Sequence, residues 1–461
     1  MSGNVSSGQG AESGRIERVL AGYIAGTTGR SLPAEVEGRV RLHLLDTLAA
    51  IVSGRKLPPG AQAYAFAESL GGQPESTLIG SDVRVGAAHA ALANGMAAHA
   101  DETDDSHTGG RFHPGCGIVP AALAIAERRQ SSSADLLKAV ALGYDVGARA
   151  TMALGYASPK TATFSTHTLG SQFGAAAAAS ALLELNPAQT EAMLSFTVQQ
   201  ASGLPYWNRD PDHIEKAFDF GGKGSRDGVY AALMAEAGFT APDAPLTGER
   251  GFLSAFAHDA DPEALIDGLG VRFEILQASL KKWCVGSPIQ SVLDGIQFLQ
   301  SEHDLEPDDI EQVVITLPSD RFHIIDNREI PTICVQHLAA LLLHNRSVGF
   351  HDAHDESLMA KPEIRSLRAR IRAVPDDDLA EARPARQSIV TIDLRNGRQL
   401  YRHTRAVHGT PERPMSSSDL AVKVQDILGD LLPGRVDRLI DVCVEDAMFD
   451  ITDLIGLCKL D

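Results

Sequence analysis

The chain contains 461 residues, of which 44% are apolar and 22% charged, and its mean hydropathy is -0.07; these ordinary values exclude disordered, collagen-like and membrane-spanning chains. Because the length is about three times that of a common single domain, we expect two domains or one unusually large helical domain. The net charge of -19 has the wrong sign for binding nucleic acid or anionic lipid, so we expect neither partner, and a small anionic substrate would need a local cluster of Lys, Arg or His.

The N-terminal stretch, residues 1–14, is rich in Gly and Ser and has neither a basic nor an apolar region, so we expect a disordered lead-in and not a signal peptide. No window of the sequence reaches the roughly 20 apolar residues of a membrane-spanning helix. The five cysteines are odd in number and widely spread, which indicates reduced thiols. These features predict a cytoplasmic protein.

Residues 15–273 show apolar positions at spacings of three and four, with Gly or Pro between segments, and predict a helical domain. One such stripe runs from Val36 to Val52, and Gly54 is expected to cap its helix. Strands are scarce in this part of the sequence.

From residue 274 the pattern changes, because the runs VVITL at 313–317 and IVTIDL at 389–394 alternate and are β-branched. The second run meets Asn396 and Gly397, a strong hairpin signal, and RQLYRHTRA is expected to return as its partner strand. An apolar helix is expected at 333–343. We therefore predict a small α+β domain at 274–404, inserted in a helical protein. Residues 405–461 return to the helical domain and include a linker at 408–415.

The densest polar cluster lies at 91–115, in ALANGMAAHADETDDSHTGGRFHPG, between two alanine-rich helical stretches. Gly109 and Gly110 favour a loop, so the polar groups are expected to line a cavity. Two other interpretations stay open: helix caps with solvated acids, and a metal site, although the fixed spacing of a metal motif is absent and we expect no metal. The candidates in the cluster are His99, Asp101, Glu102, Asp104, Asp105, Ser106, His107 and His113.

Cationic candidates come from two later segments. Lys216 opens KAFDFGGKGSRDG, and Lys281 and Lys282 open KKWCVGSPIQSVLD. The GGKG string is not a phosphate loop, because Gly224 follows the lysine where Ser or Thr is needed. Single lysines are usually surface residues, so the interest of these rests on their glycine-rich and aromatic neighbours.

Eight segments in order resemble the MmgE/PrpD family, which includes 2-methylcitrate dehydratases, cis-aconitate decarboxylases and an iminodisuccinate epimerase. The segments are HLLDTLAAIVSG; ALANGMAAHADETDDSH with HPG; GYDVGARA; FGAAAAASALLELN with QQASGL; KAFDFGGKGSRDGVYAALMAEAGFTAP; LTGERGF; KKWCVGSPIQSVLD; and GTPERPMS. The resemblance runs through nearly the whole chain. It implies a mainly α fold, in which a large all-helical domain carries a smaller inserted α+β lid domain, with the active site in the cleft and a homodimer as the assembly.

The resemblance also implies the site residues. Its catalytic positions correspond to Glu102, His113, Lys216, Lys281 and a position at 165–167, where a two-residue shift selects His167 over Ser165. Asp105, Ser106, His107, His337 and Gln290 are expected to bind substrate.

This sequence departs from the family pattern at three of these positions. Glu102 replaces an Asp, Gln290 stands where a His is common, and His337 stands where a Tyr is common. Because a glutamine amide cannot act as acid or base, one proton-transfer group is expected to have changed place.

The chemistry that the resemblance implies is proton movement next to a carboxylate. We expect a lyase that needs no cofactor and acts on a small polycarboxylate by dehydration or decarboxylation; an epimerase or isomerase using two bases and a non-catalytic homologue remain alternatives. His113 suits the acid or base, since histidine titrates near neutrality. Lys216 and Lys281 would hold carboxylates, and Glu102 would orient an imidazole.

Overall fold

The computed structural model describes residues 14–155 and 163–461, so the expected lead-in, apart from Gly14, lies outside the described residues. The chain forms two compact units. The first comprises the chain up to Ala100, Asp104–Ala278 and Leu428–Asp461, and the second comprises Asp101–Thr103 and Ser279–Ile427. The mainly α fold class predicted from the sequence is confirmed.

The first unit is built from helices with short connections. They are α1 (Arg15–Ala25), α2 (Ala34–Gly54), α3 (Pro58–Leu70), α4 (Ala87–Ala98), α5 (Pro114–Arg129), α6 (Ser133–Met152), α7 (Thr166–Leu182), α8 (Pro187–Gln199), α9 (Ile214–Ala217), α10 (Lys223–Glu236), α11 (Phe252–Phe256), α19 (Val436–Val444) and α20 (Ile451–Leu457). Two-residue strands β1 (Ser76–Thr77) and β2 (Arg84–Val85) pair antiparallel; β3 is Ser106–His107 and β4 is Ala278–Ser279. The π-helical turn Phe218–Gly222 joins α9 to α10.

Small residues let the central helices approach closely. A Cβ atom added to Gly174 of α7 would lie 2.6 Å from the carbonyl oxygen of Gly143 on α6 and 2.6 Å from the side chain of Ile118 on α5. Gly54 is not the cap expected from the sequence but the last residue of α2, where an added Cβ would lie 1.9 Å from the carbonyl oxygen of Ala97. This contact fixes the end of α4 just before the polar loop begins.

The second unit is an α+β structure. Its four-stranded sheet has the order β6-β5-β7-β8, formed by β5 (Ile310–Pro318), β6 (Ile371–Asp376), β7 (Ser388–Leu394) and β8 (Gln399–Thr404). Strand β5 runs parallel to β6 and antiparallel to β7. Its helices are α12 (Gln290–Glu302), α13 (Phe322–Ile325), α14 (Val335–Asn345), α15 (Phe350–His354), α16 (Pro362–Arg368), α17 (Asp377–Glu381) and α18 (Ser417–Leu428).

The strands and the hairpin predicted in this region are confirmed. Strand β7 alternates buried and partly buried residues, and it pairs antiparallel with β8 through a turn in which Gly397 has a φ of 83°. That left-handed conformation explains the glycine. The apolar helix predicted between the strands is α14, which lies in the core of the unit.

The units differ from the division predicted from the sequence in three places. The second unit begins at Ser279 and not at 274, it includes residues 101–103, and it extends to Ile427, beyond the boundary expected at 404. A contact within the second unit joins the two added parts, because Lys423 of α18 donates from its Nζ to the carbonyl oxygen of Thr103 at 2.9 Å. Within the described ranges, no helix combines the length and apolar character needed to span a bilayer.

Candidate active site

Asp104 holds two histidines in the loop between α4 and α5. His99 Nδ1 lies 2.9 Å from Asp104 Oδ2, and His113 Nδ1 lies 3.2 Å from both carboxylate oxygens. A carboxylate facing Nδ1 assigns the ring proton to that nitrogen, so Nε2 is the nitrogen that can exchange a proton. His113 directly precedes α5, whose N-terminal end begins with Pro114.

Four histidines and one phenylalanine form a compact group, which we call the histidine cluster: His99, His113, His167, His213 and Phe220. The ring centroids of His99 and His113 are 4.9 Å apart, those of His113 and His167 are 5.5 Å apart, and those of His99 and His213 are 5.3 Å apart. Phe220 stacks on His167 at 3.6 Å and on His99 at 4.3 Å. The Nε2 atom of His99 has no hydrogen-bond partner among the described residues.

Lys216 places its positive ammonium group beside the histidine cluster. Its Nζ lies 5.2 Å from the ring centroid of Phe220 and 5.8 Å from that of Trp207, within cation–π range. Burial, followed by the charges of His113, His99 and Lys216, lowers the pKa of His167 well below its ordinary value. His167 is therefore neutral at pH 7, and an added anion would relieve the repulsion among these groups.

Ser165 directly precedes α7, whereas His167 is the second residue of that helix. The hydroxyl of Ser165 donates to the carboxylate of Asp219, and the hydroxyl of Thr168 donates to the same carboxylate. Burial raises the pKa of Asp219 to about 6, although these two hydrogen bonds act to lower it. Ser165 therefore positions Asp219, next to Phe220, while His167 joins the cluster.

Glu102 and Lys281 lie together in the second unit. The Nζ atom of Lys281 donates to the carbonyl oxygen of Glu102 at 2.8 Å and lies 3.5 Å from Glu102 Oε2. Both side chains are buried, and Lys281 is only 2% exposed. A buried ammonium group is stable only when it is paired, and here one residue supplies both the carbonyl and the carboxylate.

The polar atoms of Asp105 are committed to neighbouring protein groups. Its Oδ2 lies 2.6 Å from His43 Nδ1 and accepts from the hydroxyl of Tyr144 at 2.6 Å, while Oδ1 accepts from the amide of Gly115 at 2.8 Å. Asp105 is fully buried and ties α2, α5 and α6 together.

His107 and Ser106 form the buried strand β3. The Nδ1 atom of His107 accepts from the amide of Gly110 at 2.8 Å, which places the ring proton on Nε2, 3.4 Å from Glu274 Oε2. His107 thus fixes the turn that leads to His113.

Gln290 and His337 lie inside the second unit. Gln290 accepts from the amide of Trp283 at 3.1 Å and donates to the carbonyl oxygens of Trp283 at 2.7 Å and Val285 at 3.0 Å, so its amide holds the loop that follows Lys281. His337 is fully buried, and neither ring nitrogen has a hydrogen-bond partner among the described residues. Burial, with a contribution from Arg368, lowers its pKa to about 4, so the ring is neutral at pH 7.

Comparison with known proteins matches both parts of the chain to one family. Residues 18–265 match the MmgE/PrpD N-terminal domain, and residues 283–446 match the MmgE/PrpD C-terminal domain. The chain belongs to the MmgE/PrpD family. This agrees with the resemblance seen in the sequence, and it makes the chain a member of a lyase-type family.

Three MmgE/PrpD relatives illustrate the range of similarity. A cis-aconitate decarboxylase-like protein, oryM, of Aspergillus oryzae is 27% identical over 63% of this chain, which spans 62% of that relative's length. The cis-aconitate decarboxylase of Homo sapiens is 26% identical over 88% of this chain and 86% of its own length. That of Mus musculus is 24% identical over 96% and 93%.

Sequence reasoning did not identify His213 and Phe220 and did not show how His99 and Asp104 are arranged. His99 and Asp104 were visible in the polar loop, but no spacing rule showed that one carboxylate would hold two rings. His213 has a left-handed φ of 60°, a strained conformation for a non-glycine residue that no sequence pattern announces. Phe220 sits in a π-helical turn, whose irregular geometry periodicity cannot predict.

The same loop could also hold a divalent cation. One ligand atom from each of His99, Asp104 and His113 lies within 4.8 Å of the others, and this donor set suits a transition metal. Hydrogen bonding between the rings and the carboxylate accounts for the arrangement equally well, and the reaction proposed below requires no metal.

Proposed function

We propose that this protein is a lyase that acts, without a cofactor, on a small polycarboxylate by moving a proton next to a carboxylate, as a decarboxylase or a dehydratase. The observation that carries the proposal is Asp104 holding the Nδ1 atoms of His99 and His113, beside Lys216 and the neutral His167. The names of the relatives, which are cis-aconitate decarboxylases, support the decarboxylase type first.

Each group in the cluster has a role in this scheme. Lys216 binds a substrate carboxylate and stabilises negative charge that develops during the reaction. His113 exchanges a proton through Nε2, and Asp104 stabilises the imidazolium form while fixing the ring. In decarboxylation, the bond to one carboxylate breaks, carbon dioxide leaves, and the electron pair left on the substrate is protonated by the imidazolium.

Lys281 and Glu102 are proposed as a second cationic site for a carboxylate. Because Glu102 neutralises the buried ammonium group, an anion that binds Lys281 must compete with that carboxylate. The assembly proposed from the family resemblance is a homodimer, which sedimentation of the purified protein tests; the cytoplasmic location proposed from the sequence is tested by cell fractionation.

A second candidate function is epimerisation of a dicarboxylate. It is favoured by one observation, namely that the same carboxylate orients two imidazoles whose centroids are 4.9 Å apart. Two such bases could remove a proton from one face of an acidic carbon and return it to the other.

Incubation of the purified protein with cis-aconitate, 2-methylcitrate and aspartate-like dicarboxylates in deuterated water separates these functions. Carbon dioxide release identifies a decarboxylase, new alkene absorbance a dehydratase, and deuterium uptake without net conversion an epimerase. Inactivity on every acid, with no thermal stabilisation by any of them, would contradict the proposal and favour a non-catalytic homologue.

Matched variants test the assigned residues. His113→Gln is expected to lower kcat by about 100-fold, whereas His89→Gln, on α4, leaves it unchanged. His89 Nδ1 contacts the carbonyl oxygen of Gly71 at 3.2 Å, away from the assigned groups. Lys281→Met is compared with Lys282→Met, whose ammonium group faces Gln297 and Asp294. Equal activity in a variant and its control would refute that assignment.

A further inference from the structure

Residues 101–103 are held by cationic side chains that come from three separate parts of the second unit. Lys281 bonds the carbonyl oxygen of Glu102 at 2.8 Å, and Lys423 bonds that of Thr103 at 2.9 Å. His354, at the end of α15, places Nε2 2.8 Å from Asp101 Oδ2. We call residues 101–103 the clamped segment. Glu102 lies at its centre, so whatever fixes the segment also fixes the partner of Lys281.

Both ring nitrogens of His354 face oxygen atoms. Nδ1 lies 2.7 Å from the carbonyl oxygen of Phe350, one turn earlier in α15, and Nε2 faces the carboxylate of Asp101. A neutral imidazole carries one N–H and one lone pair, so it can satisfy only one of these oxygens and would point a lone pair at the other. Nε2 makes an ion-pair contact with Asp101 without hydrogen-bond geometry, and the two contacts together favour the doubly protonated ring.

The pair of His354 and Asp101 is largely buried, so solvent screens the attraction between the two charges only weakly. The side chain of His354 is 18% exposed and that of Asp101 is 6% exposed. Asp101 also accepts from the amide and the hydroxyl of Thr103, both at 2.8 Å, so its carboxylate shapes the backbone of the clamped segment.

The charged groups on the elements around the ring include Asp352 on α15 itself and Asp426 and Lys423 on α18. Pro331–Ile333, which packs against α15, is uncharged, and Asp426 of α18 accepts from the amide of Phe350. Burial acts to lower the pKa of His354, but Asp101 outweighs it and raises the pKa above the ordinary value. Burial likewise opposes ionisation of Asp101, whose pKa is nevertheless held low by His354 and Thr103.

We propose that His354, as an imidazolium ion paired with Asp101, is a positioning residue that fixes the clamped segment and thereby sets the carboxylate of Glu102 against Lys281. This inference rests on the proposed function for its catalytic consequence, but not for the ion pair itself. Because the folded state favours the protonated ring, the contact is complete below the ordinary histidine value of about 6.5 as long as Asp101 stays ionised, and it is lost as pH rises through the raised pKa of His354. Activity that depends on the pair of Glu102 and Lys281 follows the same course.

The first test needs no substrate. NMR titration of ¹⁵N-histidine-labelled protein, with His354→Gln to assign the signal, is expected to show that His354 titrates above the ordinary value of about 6.5. Asp101→Asn is expected to bring the titration down to that value or lower. A wild-type ring that titrates at or below the ordinary value would overturn the inference.

The second test uses the acid that the protein turns over. His354→Gln and Asp101→Asn are each expected to lower kcat/KM about tenfold at pH 7, and the double variant is expected to lose no more than either single variant. The wild type loses activity as His354 deprotonates, whereas His354→Gln lacks that limb of the pH profile. His351→Gln, on the same helix, serves as the control with wild-type activity.

The outcomes separate this inference from the proposed function. A wild type that is active while His354→Gln matches it at every pH overturns the positioning role alone. A wild type that is inactive on every acid overturns the proposed function, and the NMR titration then decides the ion pair. A loss of activity that is additive in the double variant shows that the two residues act separately and overturns the inference.

Discussion

Removing the carboxylate of Asp105 tests whether this residue supports the fold or contacts substrate. In Asp105→Ala, the ring of His43, the hydroxyl of Tyr144 and the amide of Gly115 lose their shared partner, and all of these groups are buried. A hydrogen bond to a charged acceptor contributes about 1.5 to 3 kcal/mol, and breaking a buried charged contact typically costs about 3 to 5 kcal/mol. Because the three bonds share one carboxylate and are not additive, we expect a loss of about 4 kcal/mol.

Thermal unfolding measures this loss, since about 4 kcal/mol corresponds to roughly 8 °C for a unit of this size. The chain has two tryptophans, so in a Trp283→Phe background Trp207 reports on the first unit. Asp453→Ala, at an exposed acidic position on α20, is the control and should melt with the background protein. If Asp105→Ala instead melts within a degree or two of the background but no longer binds the substrate acid, the structural reasoning is wrong and Asp105 contacts substrate.

Three further changes have directional outcomes. Asp104→Asn should keep the fold but lower kcat by about 100-fold or more, because an amide cannot accept from two ring nitrogens as the carboxylate does; near-normal turnover would contradict the role of Asp104. His337→Leu should raise the stability of the second unit by about 1 kcal/mol in urea unfolding, because it removes two buried nitrogens that have no hydrogen-bond partner in the part of the chain that the structure describes; lost substrate affinity would instead support the binding role expected from the sequence. Burial raises the pKa of Asp219 to about 6, above its value in the unfolded chain, so the folded state binds the extra proton and loses stability as pH rises from about 4 to about 6. The free energy of unfolding of Asp219→Asn, minus that of the wild type, should therefore rise by about 3 kcal/mol from pH 4 to pH 7. A difference that stays constant with pH would show that the carboxyl is not protonated.

The sequence predicts the fold class well because periodicity reports on local structure. Alternation in 389–394 and the Asn396–Gly397 turn predict a hairpin that the structure contains, since both signals act within a few residues. The extent of the second unit could not be predicted in this way. Lys423 of α18 contacts Thr103 across 320 positions of the chain, and a contact of that range leaves no local pattern in the sequence.

The candidate site shows the same division between local and long-range information. The resemblance led to His113, Lys216 and His167, and the structure places these groups around Phe220. The resemblance could not show that the carboxylate of Asp105 bonds His43 and Tyr144, because those partners come from other helices. Which of several neighbouring carboxylates faces inward depends on packing, and composition alone does not report it.

The clamped segment has a consequence for the order in which the protein folds during synthesis. Residues 101–103 leave the ribosome early, whereas their partners Lys281, His354 and Lys423 are made much later. Non-local contacts of this kind form only after their distant partner is available. A nascent chain that ends before residue 423 can contain α4 and α5 but not the finished connection between them. The contacts that hold the stretch carrying Glu102 can therefore form only after most of the chain has been made, although this stretch lies in the first quarter of the sequence.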